Sequence, residues 1–392
     1  MSAAEHLPAH QALVREAGGV RLRLRPTRPP APGELLVATQ VAGLCGTDIQ
    51  MLRGLRDDPA PVIGHEGIAH VVAAGAGVPD AFRPGTPVVV NPTHRTDPSF
   101  LLGHNVDGLL QERTRIPATA VRDGLVVPLD RSPDAVLGTL VEPLAAVLYA
   151  LTLLATARPR TLVVYGDGTI GQLAVRAARR RLGAGVRVVL VHHTPAGLEW
   201  SARHPVPGVR SLLAGERGGV PPGGGERGET APLGGGPVAA LLATPRDGTL
   251  DALGSALRLG GGELTVDLFG GLPPGAASPL LPGVDLAAVR SANCAGEPVP
   301  AAFTQVTTAQ GRRVRLTGHR GVGNGHLAEA AAELCRDPAA YRDLVTHVVG
   351  LPEAARIMND LSVSRKRTVA GSRLIKLAVR LAPVPPSPLE TQ

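Results

Sequence analysis

Aromatic side chains are scarce: one Trp, three Tyr and four Phe in 392 residues. That leaves no series of stacking platforms for single-stranded nucleic acid. Lysine is nearly absent too. Lys366 and Lys376 are the only two, so almost all of the 40 basic residues are Arg. They are interspersed with 33 acids, and the formal net charge of +7 marks composition rather than a basic patch, so no nucleic-acid partner is expected. Cysteine is limited to Cys45, Cys294 and Cys335, odd in number and far apart, which excludes a disulfide framework. No apolar run reaches the roughly 18 residues that span a bilayer. No apolar segment follows a basic start, as a signal peptide requires. The expectation is a soluble, cytoplasmic protein without a membrane partner.

Two residues are abundant. Gly (49) and Pro (37) make up more than a fifth of the chain, which excludes an all-helical or coiled-coil protein. The length predicts two or three domains.

Residues 1–12 read as a loose N-terminus. From Leu13 to about Val127 short β-type runs are cut by Gly and Pro, among them Leu35–Val41, Gly67–Ala74 and Pro87–Val90. Residues 134–155 read as helical, with Pro143 as a start or interruption. The texture then changes. Thr161–Tyr165 is a buried-type strand, followed by a glycine turn, a helical stretch and a second strand at 186–191. Strand, turn, helix, strand is a βαβ unit and predicts a parallel sheet. Further strands are expected at Val238–Leu242, Glu263–Leu268 and Val314–Thr317, and helices at 326–335 and 352–361. Residues 214–236, rich in Gly and Pro, read as a mobile loop, and the Pro-rich tail 381–392 as frayed.

The turn GDGTIG places Gly166, Gly168 and Gly171 in the spacing G-x-G-x-x-G, with Thr169 and Ile170 between. Glycines there serve the tight turn, backbone approach to a pyrophosphate and helix–strand packing. The helix N-terminus then offers its amides to the phosphates. The second strand of an NAD site ends in an acid that holds the ribose hydroxyls. Here Val191 is followed by His192, His193 and Thr194, while Asp167, inside the turn, is out of place for that job. Two imidazoles and a hydroxyl can bond a 2′-phosphate, so NADP(H) is expected over NAD(H).

GLCGTD (43–48) and GHEG (64–67) bring Cys45, His65 and Glu66, all ligand types that zinc accepts. The separation of Cys45 and His65 is not diagnostic by itself, and each is compatible with an ordinary buried role.

Taken in order, APGELLV, GLCGTD, VIGHEG with AAGAGV, FRPGTPVVV, LVEPLA and the glycine turn resemble the zinc-dependent medium-chain dehydrogenases/reductases. That group includes alcohol, sorbitol and threonine dehydrogenases. The resemblance covers about residues 13–380. It implies an α/β fold: a GroES-like β-rich catalytic domain (1–157), an inserted Rossmann domain with a doubly wound parallel sheet (158–318), and a return to the catalytic domain plus a Pro-rich tail (319–392). It implies one catalytic zinc on Cys45, His65 and Glu142, with Glu66 as ligand or close neighbour. Thr47 would exchange the proton of the alcohol, and Asp48 is a supporting acid. Glu142 stands where polyol-type members have Glu and alcohol-type members Cys.

Three departures stand out. Segment 91–110 has none of the four cysteines of the family's structural zinc, and its His94 and His104 read as surface residues. Gln50 replaces the His of a proton relay, and Ala69 a usual glycine. The expected reaction is hydride transfer between NADP(H) and a secondary alcohol or ketone, with a polyol, cyclitol or amino-alcohol as substrate. The alternative is reduction of a C=C bond conjugated to a carbonyl. A homo-oligomer, dimer or tetramer, is expected.

Overall fold

The computed structural model describes residues 7–215, 235–260, 262–364 and 366–381. The tail and nearly all of the Gly/Pro-rich segment 214–236 lie outside the described residues. The chain forms two compact units, Met1–Glu142 with Leu327–Gln392, and Pro143–His326.

In the first unit, β1 (His10–Glu16) and β2 (Gly19–Arg25) form an antiparallel pair. This corrects the reading of residues 1–12 as loose for residues 10–12; residues 1–6 lie outside the described residues. His10 is buried, its Nδ1 2.8 Å from Thr27 Oγ1 and its Nε2 3.2 Å from Gln111 Oε1. The hydrogen bonds, not the apolar pattern, fix this start of the strand.

A seven-stranded sheet follows. β3 (Leu35–Gly43) pairs antiparallel with β4 (Glu66–Ala74), and β4 with β5 (Pro87–Val90). The other edge of β3 is shared. Its first half pairs with β6 (Arg113–Ile116) and its last residues with the strand Leu377–Arg380, which comes from beyond the second unit. β7 (Val126–Pro128) and the strand His347–Gly350 close the two ends of the path. A core of Leu35, Val37, Val62, Ile63, Val88, Leu110, Ile357 and Met358 fills this unit.

The second unit is a doubly wound sheet. β8 (Thr161–Tyr165), β9 (Arg187–His192), β10 (Val209–Leu213), β11 (Val238–Leu242) and β12 (Leu264–Asp267) lie in the order β10-β9-β8-β11-β12, followed by Arg313–Thr317. All these pairs are parallel; only the outer strand Thr304–Thr307 runs antiparallel. β8 (TLVVY) and β11 (VAALL) are buried at every position, as strands covered on both faces require. Pro143 sits in the first turn of the helix Val141–Ala155, where its missing N–H costs no helical bond. Among the described residues, no helix is long and apolar enough to cross a membrane.

Candidate functional site

Two clusters of chemistry are present, one in each unit. In the first, Cys45 is the N-cap of the short helix Gly46–Leu52 and has an extended backbone. Asp48, wholly buried, holds this turn: its carboxylate accepts the Cys45 N–H at 2.8 Å and the Gly64 N–H at 3.2 Å. Gly64 has φ +95°, and a Cβ there would meet Leu110 at 2.8 Å, so glycine is needed where the chain turns into β4. His65 and Glu66 follow that turn and are buried. One ligand atom each of Cys45, His65 and Glu66 lie within 4.8 Å of one another.

The electrostatics of the cluster are those of a site short of positive charge. Burial opposes a charge on His65, yet Cys45, Asp48 and Glu142 outweigh it and raise its pKa well above the ordinary value. Glu142, from the first turn of the helix Val141–Ala155, is pushed up to about 7 by burial, with His65 pulling it down and Glu66 adding repulsion. Burial likewise raises Asp48. A divalent cation would reverse these shifts, and thiolate, imidazole and carboxylate are a zinc donor set. The residues present fit that ion. Asp48 Oδ1 stands 4.0 Å from His65 Nδ1, which has no hydrogen-bond partner among the described residues.

Two participants escape sequence reasoning. Lys376 is buried and forms an ion pair and hydrogen bond with Glu66, with its Nζ 3.4 Å from the Leu44 carbonyl. Its signal was a lone lysine in the apolar run LIKLAV. His104, read as a surface residue, is instead buried, its ring centroid 5.2 Å from that of His65. Asp58 fixes its Nδ1 at 3.2 Å, and Arg56 holds Asp58 at 2.6 Å. His94 does lie near the surface, bonded to Asp123 at 3.1 Å. The Thr47 hydroxyl is buried and has no hydrogen-bond partner among the described residues.

In the second unit the glycine turn joins β8 to the helix Thr169–Leu182, with Gly168 as N-cap. A Cβ on Gly166 would meet the Ala243 carbonyl at 2.3 Å, and one on Gly171 the Gly166 carbonyl at 1.8 Å. Gly168 faces open space, with nothing within 4 Å of a Cβ. Two glycines are thus required by packing and the third leaves room at the helix N-terminus, which is the cradle a pyrophosphate needs. The three residues at the end of β9 have separate fates. His192 is wholly buried and its Nδ1 meets Asp167 Oδ2 at 2.8 Å. His193 is exposed. Thr194 caps the helix Pro195–Arg203, its Oγ1 accepting the Gly197 N–H at 3.2 Å. Asp167 stands in the turn, as read, and the turn folds its carboxylate onto the last residue of the second strand. His192, expected at a 2′-phosphate, is buried with its Nδ1 engaged by Asp167.

Comparison with known proteins gives a consistent result. Residues 31–125 match the alcohol dehydrogenase GroES-like domain. An uncharacterized zinc-type alcohol dehydrogenase-like protein of Haemophilus influenzae is 30% identical over 37% of this chain and 46% of its own length. Sorbitol dehydrogenase of Gallus gallus is 30% identical over 45% of this chain and 54% of its own. The chain thus spans about half the length of the relatives it matches in sequence. Fold likeness extends further. A zinc-binding dehydrogenase of Sinorhizobium meliloti bound to NADP has a TM-score of 0.68 at 21% identity, over 95% of this chain and 100% of that one. Galactitol-1-phosphate dehydrogenase of Escherichia coli has a TM-score of 0.65 at 16% identity, over 94% and 99%. Residues 31–125 are thus similar to an alcohol dehydrogenase GroES-like domain, the matched part of the chain is similar to zinc-type alcohol and sorbitol dehydrogenases, and the solved structures share its fold.

Proposed function

We propose that the chain is a zinc- and NADP(H)-dependent oxidoreductase that moves a hydride between the cofactor and a secondary alcohol or its ketone. The carrying observation is the convergence of Cys45, His65 and Glu66 within 4.8 Å, in a cluster that shares its field with Glu142. Cys45, His65 and Glu142 would hold the metal, with Glu66 beside them and paired to Lys376. When bound, zinc supplies a Lewis acid at the substrate oxygen and the nicotinamide gives or takes the hydride. The Thr47 hydroxyl, without a protein partner among the described residues, exchanges the proton of that oxygen. Asp48 fixes the Cys45 turn on which Thr47 stands.

A polyol-class substrate is supported by Glu142 in place of cysteine and by the sorbitol and glucose dehydrogenases among the relatives. NADP(H) is supported by the missing acid at the end of β9 and by the exposed His193 and Thr194 beside it. Gln50, in place of a relay imidazole, keeps the C=C reduction as a second reading, since a proton delivered to carbon needs no relay from oxygen.

Metal analysis tests the first claim. The purified protein should carry about one zinc per chain, and Cys45→Ser or His65→Ala should lose both metal and turnover with the fold intact. Two zincs per chain, or a metal-free active enzyme, would overturn the reading.

A further inference from the structure

The proposed chemistry leaves one polar group beside the metal-binding cluster without a task. His104 belongs to the segment 91–110, which holds no cysteine, and close glycine packing brings it to the cluster. A Cβ on Gly103 would meet the Gly64 carbonyl at 2.7 Å, and one on Gly108 would meet it at 2.2 Å, so the segment lies directly on the turn that leads into His65. The His104 carbonyl accepts the Ala60 N–H at 2.7 Å and ties it to the same stretch of chain. The two imidazoles, His65 and His104, then lie 5.2 Å apart between centroids, tilted by 31°.

The two nitrogens of His104 differ. Nδ1 is 3.2 Å from Asp58 Oδ2, and Arg56 Nε donates to the same oxygen at 2.6 Å. Burial opposes a charge on Asp58, but the bonds from Arg56 and His104 outweigh it and bring its carboxyl down to about 2. Asp58 is thus an acceptor, and Nδ1 carries the proton toward it. Arg15 donates to the Asp58 and Ala60 carbonyls, so the backbone under this brace is fixed as well. Nε2 bonds no described residue and keeps accessible surface, which the enclosed Nδ1 of His65 does not; His104 as a whole is 5% exposed.

An imidazole locked at one nitrogen and open at the other presents a fixed polar atom to an incoming molecule. Lying against the ligand imidazole, it reaches only substrate atoms close to the reacting oxygen. In a polyol that is the hydroxyl on the next carbon. A hydroxyl both donates and accepts, so it meets Nε2 whether or not that nitrogen carries a proton.

We propose that His104 is a specificity-determining residue: its Nε2 hydrogen-bonds the hydroxyl next to the reacting carbon, so the site selects vicinal diols and α-hydroxy ketones over analogues that lack this hydroxyl. Asp58 and Arg56 are positioning residues that hold the ring. This rests on the oxidoreductase reading above and narrows its substrate class.

The test uses two ketones that differ by one hydroxyl, 3-hydroxybutan-2-one and butan-2-one, with the zinc-loaded full chain and NADPH, and NADH in parallel. The quantity read is the ratio of their kcat/KM values; its change on mutation cancels their intrinsic reactivities. His104→Asn keeps an amide nitrogen for Asp58 but has no atom at the Nε2 position. The ratio should fall about 3- to 10-fold, one neutral hydrogen bond's worth, through KM of the hydroxyketone rather than kcat. His104→Gln gives up Asp58 but keeps a polar atom near the Nε2 position, and should hold more of the ratio than His104→Asn. A residue that only braced Asp58 would show the reverse order. Zinc content of both variants should match wild type. Equal wild-type kcat/KM values, a ratio kept in His104→Asn, a larger loss in His104→Gln, or zinc lost from either variant overturns the proposal alone. A zinc-loaded wild type that reduces neither ketone with either cofactor overturns the oxidoreductase reading, and this inference with it.

Discussion

Thr47 and His10 show how much one buried polar atom decides. The Thr47 hydroxyl has no hydrogen-bond partner among the described residues, so Thr47→Val removes no bond seen there and nearly keeps the volume. The variant should retain its zinc and its cofactor affinity while turnover falls about 10²–10⁴-fold, the usual worth of a general acid–base group. Steady-state kinetics with metal analysis check this; unchanged turnover would favour the C=C reduction. His10 answers to pH instead. Burial holds its imidazole below the ordinary value of 6.5, against the bond from Gln111, which raises it. The unfolded chain therefore takes up this proton first as pH falls. His10 contributes its stability fully at neutral pH and loses it as the pH drops through its unfolded value. Urea midpoints between about pH 8 and 5 should fall more steeply for wild type than for His10→Gln. Parallel declines would assign the acid sensitivity elsewhere. Single residues were also where the sequence was least readable. Cys45, His65 and Glu142 stood out by motif, but Lys376 and His104 reach the same cluster through contacts between segments far apart in the chain, and no local pattern encodes those.

Elements were readable in proportion to their burial. β5, β8 and β11 have the bounds read from the sequence, because short apolar runs close to Gly, Pro and polar residues leave little choice. β1 was missed at its start, since His10 and Gln11 are polar and are held by pairing with Leu24 and Arg25. The glycine turn was legible as a dinucleotide cradle. What it does to β9 was not, because Asp167 and His192 meet only once the turn has folded. Their pairing carries a prediction. His192→Ala removes one partner of the Asp167 carboxylate beside the end of β9, where the carboxylate repels a 2′-phosphate and can accept from ribose hydroxyls. The proposed preference for NADP(H) should shrink by about 10-fold or more, one charge-assisted bond's worth. The ratio of dissociation constants for NADPH and NADH, in wild type and variant, decides it; an unaltered ratio would mean that the pair only braces the turn.

At the scale of the molecule, the compact units divide at Glu142/Pro143 and His326/Leu327, while the family resemblance implied boundaries at 157/158 and 318/319. The helices Val141–Ala155 and Asn324–Arg336 run across the division. The first unit depends on its late segment. Lys376 and Glu66 are 1% and 2% exposed, so breaking their pair strands a buried charge. Lys376→Met should cost about 3–5 kcal/mol, and Lys376→Met with Glu66→Leu should recover most of it. Urea denaturation of the two variants checks this, and equal losses in both would show that packing, not charge, is at stake.

The shared edge of β3 also has a consequence in time. Its second neighbour, Leu377–Arg380, is translated only after the whole second unit has left the ribosome. A chain made from its N-terminus can complete the second unit at once, but it must hold β3 half-paired and Glu66 uncompensated until the last strand arrives. Synthesis order thus makes the sheet edge a checkpoint: a product cut short before residue 376 contains every metal-ligand candidate and still cannot close around them.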